Sequence, residues 1–261
     1  MKRGRAQYLL LILALILFLS GFVPRPQDKD TLYQASTIDA LLDGLYDGDV
    51  TFGELKKHGN FGIGTFDYLD GEMIALDGEF YQVKMDGKVY PVDGKMETPF
   101  AVVTFFEPDN TIVLNGELDL KQLEAYLDKQ LPSKNIFYAI RIDGTFKYIK
   151  ARSVPRQEEP FPPLVDVVKE QAIFEFQDIE GTVVGFWCPA YVKGVNVPGY
   201  HLHFINKERT AGGHLLDCRT ETGKIGIDHT SDFFMELPEN EEFLTADLTE
   251  EKEEELKKVE R

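Results

Sequence analysis

Short apolar runs alternate with turn-forming residues along most of this chain, a pattern that predicts a protein built mainly of β-strands. Between residues 66 and 106 the runs are separated by Asp-Gly pairs, which favour two-residue hairpin turns because both central positions need a positive φ. The pairs begin at Asp70, Asp77, Asp86 and Asp93. We therefore expect an antiparallel meander here, with residues 100–106 forming a buried strand.

Another Asp-Gly pair, Asp143-Gly144, separates apolar runs at 136–142 and 145–152 and predicts another hairpin. Helices are predicted where apolar residues recur every three or four positions, at 36–45, 118–131 and 164–172. A terminal helix is expected at 249–261, capped by Thr249 and acidic in its first turn. Further strands are predicted at 174–177, 182–187, 200–205, 215–218, 224–227 and 232–237.

These elements predict an α/β protein of the mixed α+β kind, with two β-rich subdomains and mixed or antiparallel sheets. Prolines at 155, 160, 162 and 163 mark the expected boundary between the subdomains. Residues 29–155 would form an N-terminal α/β subdomain. Residues 156–261 would form a C-terminal β-rich subdomain that carries a metal site on its strands and ends in the helical tail.

The N-terminus is basic, then apolar. Lys2, Arg3 and Arg5 precede an apolar run at 8–19, and Pro24 ends the segment. This order is typical of a secretory signal, and the run is shorter than the roughly 20 residues that a membrane span needs. We expect residues 1–28 to be a signal peptide or an uncleaved anchor. The protein would then be exported, either secreted or held at a membrane through this segment alone.

The remainder of the chain is strongly acidic. The whole sequence has 28 basic and 45 acidic residues, a net charge of −17, and the first 23 residues hold three of the basic ones and no acidic one. The remaining 25 basic against 45 acidic residues leave a net charge of −20. Such a surface repels nucleic acid, which we exclude as a partner. An anionic substrate would need a dedicated cation in its pocket.

Three of the five histidines, His201, His203 and His214, fall within fourteen residues. Residues two apart on a strand share a face, and a hairpin would bring His214 alongside from the neighbouring strand. Three imidazoles can hold a metal ion and leave positions open for substrate. The alternatives are histidines without a metal and a closed structural zinc site. A closed site normally needs four protein ligands, often cysteines, and the chain has only Cys188 and Cys218.

Six motifs follow one another along the chain and cover nearly everything after the N-terminal segment. They are Phe61-Gly-Ile-Gly-Thr-Phe-Asp67, Leu69-Asp-Gly-Glu72, Phe80-Tyr-Gln82, Ala151-Arg-Ser-Val-Pro-Arg-Gln157, Val197-Pro-Gly-Tyr-His-Leu-His-Phe204 and Gly212-Gly-His-Leu-Leu-Asp217. In this order they resemble the α-acetolactate decarboxylase family. The resemblance implies a two-domain α/β homodimer that binds zinc through three histidines and a glutamate. Asn60 stands where the family has an acidic residue.

The resemblance also implies an activity, the conversion of 2-acetolactate to acetoin and CO₂ in the acetoin and butanediol pathway. The substrate would be a small 2-hydroxy-3-keto acid. The ion, Zn²⁺ or another divalent transition metal, would act as a Lewis acid that stabilises an enediolate. His201, His203, His214 and Glu72 are the metal ligands that the motifs imply.

The remaining site residues are also implied by the motifs. Arg152 would bind the substrate carboxylate with two parallel hydrogen bonds, while Thr65 and Leu69 would line the pocket. Glu260 would protonate the enediolate, with Arg152 as an alternative proton relay, so that Arg152, Glu260 and Glu72 carry the catalytic roles. By position alone, Arg152 would be an exposed strand residue and Glu260 an exposed residue of a frayed helix.

Two other functions fit the same histidines. One is another metal-dependent lyase or isomerase of hydroxy-keto acids. The other is a non-catalytic exported module that binds zinc. Glu72 and Arg152 favour catalysis, because a module that only collects cations has no use for an arginine that grips carboxylates. A metalloprotease is disfavoured because the chain lacks a His-Glu-x-x-His helix.

Overall fold

The computed structural model describes residues 29–260 and confirms the mixed α+β class. The predictions for residues 1–28 lie outside the described residues. Fourteen strands lie in this part of the chain: β1 (Thr31–Ala35), β2 (Val50–Thr51), β3 (Phe61–Thr65), β4 (Glu72–Leu76), β5 (Glu79–Val83), β6 (Val89–Pro91), β7 (Glu97–Thr98), β8 (Ala101–Thr104), β9 (Asn110–Asn115), β10 (Phe137–Ser153), β11 (Ala172–Cys188), β12 (Gly199–Asn206), β13 (Gly212–Thr230) and β14 (Asp232–Glu236).

Six short α-helices accompany the strands in residues 29–260: α1 (Ile38–Leu42), α2 (Phe52–His58), α3 (Leu120–Leu127), α4 (Leu164–Val167), α5 (Glu241–Thr245) and α6 (Glu253–Val259). Side-chain oxygens of Thr37, Thr51 and Asp119 cap α1, α2 and α3 by accepting backbone N–H groups of the first turn. The predicted Thr249 cap of the terminal helix is wrong. The Thr249 hydroxyl instead donates to Asp247, and α6 begins four residues later.

A seven-stranded sheet has the order β14-β1-β8-β3-β4-β5-β6, antiparallel throughout except for the parallel β1–β14 pair. The predicted two-residue hairpin forms at Asp77-Gly78, where the φ angles are 56° and 83° and join β4 to β5. The two-residue hairpin turn does not form at the other three pairs, although a longer turn at Asp86-Gly87 still joins the antiparallel strands β5 and β6. At Asp70-Gly71 and Asp86-Gly87 only the glycine has a positive φ, and at Asp93-Gly94 neither residue does.

A five-stranded sheet has the order β10-β11-β12-β13-β9, and β10 also pairs with β13. The four strands β10 to β13 therefore close into a ring. Three of them are long, with 17, 17 and 19 residues in β10, β11 and β13. The separate strands predicted at 174–177 and 182–187 are parts of β11, and those predicted at 215–218 and 224–227 are parts of β13.

The hairpin predicted at Asp143-Gly144 is wrong because both residues lie inside β10. Gly144 pairs with Gly181 on one side and Gly223 on the other, so both edges of the strand are already hydrogen-bonded. A Cβ built on Gly144 would lie 2.3 Å from the Thr222 carbonyl oxygen. Gly144 thus allows β10 and β13 to approach each other closely at this point.

Residue 155 is not a sequence boundary between the two sheets. Strands β9 and β10 precede this position but belong to the five-stranded sheet, while β14 follows it and belongs to the seven-stranded sheet. The subdomain division stays a prediction. Asn60 helps to fix one crossing between the sheets, because its side-chain oxygen accepts the Phe106 N–H at 2.9 Å. No helix among residues 29–260 is long and apolar enough to cross a membrane.

Large apolar side chains fill the space between the two sheets. Ile63, Ile74 and Phe100 of the seven-stranded half pack in one buried cluster with Phe186 and Ile205 of the five-stranded sheet. A second cluster joins the five-stranded sheet to α3, and a third joins the outer face of the seven-stranded sheet to α2. The sheets are therefore held face to face by burial of apolar surface, and the site lies at this junction.

Gly144 and Gly78 provide a test of the strand assignment. Gly144→Ala should cost about 3 kcal/mol of unfolding free energy, because the new methyl group overpacks a backbone paired on both edges. Gly78→Ala should cost only about 1 kcal/mol, because its Cβ meets nothing within 4 Å and only the positive φ opposes it. Urea unfolding of both variants measures the difference. Equal losses would contradict a continuous β10.

Candidate metal centre

Adjacent strands bring the three clustered histidines together as predicted. His201 and His203 share one face of β12, and His203 is the direct partner of His214 across the β12–β13 pair. Leu202 and Phe204 point to the opposite face and join the apolar cluster under α3. One ring nitrogen from each histidine lies within 4.8 Å of the others, and all three residues are buried. The arrangement can hold a metal ion.

The protonation of these rings also suits a metal. His203 Nδ1 lies 2.9 Å from the Met73 carbonyl oxygen, which can only accept, so Nδ1 carries the proton and Nε2 keeps its lone pair. His203 Nε2 is buried and has no hydrogen-bond partner in the described chain. Burial lowers the pKa of His201 to about 3 and that of His203 well below its usual value.

His214 completes the neutral set. Burial lowers its pKa well below the usual histidine value, with Arg152 adding to the effect, although the main chain of Glu260 opposes it. Neutral imidazoles are among the ligands that zinc and similar divalent metals prefer, and the lone pair of His203 Nε2 is buried and unpaired in the described chain. The residues present therefore fit a metal ion.

Two glutamates that lie far apart in the sequence approach the histidines. Glu72 begins β4, and its Oε2 lies 3.6 Å from His203 Nε2. Glu260 follows α6, and its Oε2 lies 3.7 Å from His201 Nε2 and 3.9 Å from His214 Nε2. Burial raises the pKa of each carboxyl to about 7, while Arg152 opposes the shift in both. Each carboxyl can therefore exchange a proton near neutral pH.

Arg152 is buried beside the histidines, and the expectation from position alone that it is exposed is wrong. It pairs with His214 across β10 and β13, and only 4% of it is exposed. Its Nη1 donates to the Gln171 side chain at 3.3 Å, and its Nε lies 4.0 Å from Glu72 without a hydrogen bond. A buried guanidinium with a free donor is suited to an anionic ligand.

The glycine before His214 permits this packing. Gly213 has a φ of 141°, and a Cβ there would lie 2.2 Å from the Arg152 carbonyl oxygen. Any other residue would push β13 away from β10 at the point where His214 and Arg152 meet. The Gly212-Gly213 pair, which begins β13 after the turn, therefore serves the close approach of two strands.

Thr65 and Leu69 lie on the wall of the site, where the sequence analysis places them. The Thr65 hydroxyl donates to the Gly71 carbonyl at 2.7 Å. Tyr68 and Leu69 both adopt left-handed backbone, with φ of 61° and 55°. Such strain in two successive non-glycine residues persists only where neighbours enforce it, and here Gln157 donates its N–H to the Tyr68 carbonyl at 2.7 Å. The strained turn places Leu69 against the cavity.

All eight predicted site residues line a single cavity of about 40 Å³. Sequence reasoning missed the remaining lining residues, most of which are apolar. Nothing in their type or spacing distinguishes them from ordinary core residues. They are Ile38, Leu41, Gly64, Phe100, Val154, Leu164 and Val259.

The other candidates lie elsewhere in the described chain. Cys188 and Cys218 are free and buried in different apolar clusters, so they act as small core residues. His58 stacks on Tyr33 with ring centroids 4.0 Å apart, and His229 packs edge-on against Tyr138. Neither histidine lines the cavity.

Known proteins are similar to this chain in both sequence and fold. The family model for alpha-acetolactate decarboxylase matches residues 32–250. An alpha-acetolactate decarboxylase from Methanosarcina mazei is 57% identical over 233 residues, which cover 89% of this chain and 81% of that protein. One from Methylococcus capsulatus is 52% identical and covers 92% of each chain.

A solved structure agrees with these matches. The crystal structure of alpha-acetolactate decarboxylase from Bacillus subtilis strain 168 superposes with a TM-score of 0.87 at 44% identity, covering 88% of this chain and 99% of that one. The family model covers most of the described chain, including the three histidines, Glu72 and Arg152. The chain belongs to the alpha-acetolactate decarboxylase family of carboxy-lyases, as its motifs predicted.

Proposed function

We propose that this protein decarboxylates 2-acetolactate to acetoin and CO₂ with a bound divalent transition metal ion, and that this ion is zinc. The observation that carries the proposal is a buried guanidinium with an unused donor beside three buried neutral imidazoles. The guanidinium suits the carboxylate that leaves, and the imidazoles suit the ion. Membership of the family supports the same reaction.

His201, His203 and His214 would hold the ion, with Glu72 completing the site or lying directly behind it. A divalent ion bound there would supply Lewis-acid stabilisation of the negative charge that develops on the ketone oxygen as CO₂ leaves, a contribution of several kcal/mol. The Met73 carbonyl fixes the His203 ring with Nε2 toward the centre. Glu72 would also reduce the net positive charge of the loaded site.

Arg152 would bind the substrate carboxylate and orient the bond that breaks. In a chain this acidic, the buried guanidinium is the cation within the lining of the cavity. Gln171 and the neighbouring strand β13 hold its position, so the carboxylate is gripped in a fixed direction. The electron pair of the broken carbon–carbon bond passes to the adjacent ketone and leaves an enediolate. The apolar lining residues exclude water from it.

Glu260 would protonate the enediolate carbon. Its carboxyl lies beside His201 and His214, and burial raises its pKa to about 7, so a neutral carboxylic acid is populated at neutral pH. Delivery of the proton from one side would give a single enantiomer of acetoin. Glu260 would regain its proton from solvent before the next turnover.

Three further proposals come from the sequence. The resemblance to the family supports a homodimer and a place in acetoin and butanediol formation. The basic and apolar order of residues 1–28 supports export, with the protein either secreted or anchored by this segment. The sequence gives no basis for a nucleic-acid partner, because the acidic surface opposes one.

The alternatives are less well supported. Another lyase or isomerase of hydroxy-keto acids would use the same histidines and Arg152, and would differ in the substrate that fits the apolar wall. A module that only binds zinc needs the histidines but gains nothing from burying Arg152, whose desolvation is costly without an anionic ligand.

His203→Ala tests the ion-binding role. The variant should lose bound zinc, and its kcat/KM should fall by about 100-fold or more, because a ligand and its fixed orientation are lost together. Metal analysis and acetoin formation are the two measurements. His58→Ala, at a histidine outside the cavity, is the matched control and should keep both. A metal-free His203→Ala protein with full activity would remove this residue from the centre.

Arg152→Lys tests the carboxylate site. The lysine keeps the charge but loses the planar pair of donors, so we expect kcat/KM to fall about 100-fold, roughly 2.7 kcal/mol. Zinc content should stay as in the unmodified protein, since the histidines are untouched. Steady-state kinetics with 2-acetolactate and metal analysis measure the two effects. An unchanged kcat/KM would exclude Arg152 from the reaction.

A further inference from the structure

The terminal helix α6 closes one side of the candidate metal centre. Leu256 and Val259 are buried in the apolar cluster between the two sheets. Glu260 follows directly, and its carboxylate reaches His201 and His214. The position of this carboxylate therefore depends on how the helix is docked.

The opposite end of α6 is held by a partly buried ion pair, in which the Asp43 side chain is 29% exposed. Lys252 Nζ lies 2.6 Å from Asp43 Oδ1, and the Lys252 side chain is only 8% exposed, which is unusual for a lysine. Asp43 ends α1, and Ile38 and Leu41 of that helix line the metal cavity. The ion pair thus joins two elements that both form walls of the cavity.

The backbone of α6 connects the ion pair to Glu260. The Leu256 N–H donates to the Lys252 carbonyl at 2.9 Å, and the Glu260 N–H donates to the Leu256 carbonyl at 3.0 Å. The four-residue spacing places these residues on one face of the helix. A helix of seven residues is unstable alone in water, so its contacts with the rest of the protein must fix it.

The other charged contacts of α6 are exposed. Lys193 pairs with Glu253, but the two side chains are 60% and 46% exposed. Lys257 pairs with glutamates of the same helix, which does not fix the helix to the protein. Exposed pairs contribute little, whereas a partly buried pair is screened much less by solvent, and removing Asp43 or Lys252 leaves a partly desolvated charge.

We propose that Lys252 and Asp43 are positioning residues that hold the Glu260 carboxyl at the metal centre. The inference rests on the proposed function, in which Glu260 protonates the enediolate. Neither Lys252 nor Asp43 lines the metal cavity, so each acts through the helix. Loss of the pair would loosen α6 and move Glu260 away while leaving the three histidines in place on their strands.

Turnover by full-length zinc-loaded protein tests this coupling. Lys252→Ala should lower kcat about tenfold and reduce the enantiomeric excess of acetoin, because small displacements of a catalytic group are costly. Glu260→Gln should do the same through loss of the proton. The double variant should be no worse than Glu260→Gln alone, because Lys252 acts through Glu260. Lys252→Arg keeps the charge and should keep most of the rate.

Lys193→Ala is the matched control, since it removes an exposed pair from the same helix, and it should leave rate and enantiomeric excess unchanged. Independent effects of Lys252→Ala and Glu260→Gln that multiply in the double variant would overturn the proposal. So would an unchanged rate and enantiomeric excess in Lys252→Ala.

Amide hydrogen exchange of residues 253–260 gives a readout that needs no turnover. Exchange should become faster in Lys252→Ala and stay unchanged in Lys193→Ala. If the unmodified protein fails to decarboxylate 2-acetolactate, the proposed function falls while exchange still decides whether Lys252 fixes the helix. Unchanged exchange in Lys252→Ala would refute the positioning role by itself.

Discussion

The site depends on the register of three neighbouring strands. His203 of β12 pairs with His214 of β13, and His214 in turn pairs with Arg152 of β10. Backbone hydrogen bonds thus place two imidazoles and the guanidinium in one row. A slip of one residue in β13 would turn His214 to the opposite face of the strand. The closed β10–β13 ring makes such a slip costly, because each strand is paired on both sides along part of its length.

The seven-stranded sheet supplies two further groups of the site. Its strand β4 brings the Met73 carbonyl to His203 and the Glu72 carboxyl to the same side of the cavity. Burying the charged and polar groups of the site opposes folding, and Arg152 Nε, His201 Nδ1 and His203 Nε2 have no hydrogen-bond partner in the described chain. The apolar clusters on either side of the sheets offset this cost. Buried polar atoms without hydrogen-bond partners are therefore concentrated where the chemistry is proposed to occur.

Local patterns predicted one part of the site and failed in another. The shared face of His201 and His203 followed from the two-residue period of a strand, and the position of His214 beside them followed from the predicted hairpin. The hairpin predicted at Asp143-Gly144 does not form, because a strand paired on both edges is a tertiary feature that no local sequence encodes. Spacing rules likewise could not predict that Glu72, Arg152 and Glu260 lie together, and only the family motifs implied it. The apolar wall residues resemble any other core residue, so no signal marked them.

The central claim is that a metal ion held by the three histidines is required for decarboxylation. The most direct measurement is acetoin formation from 2-acetolactate by purified protein lacking residues 1–28, before chelation, after it and after return of zinc. Our account predicts that chelation abolishes turnover and that zinc restores it. An undiminished rate in folded protein shown by elemental analysis to be free of metal would contradict the account.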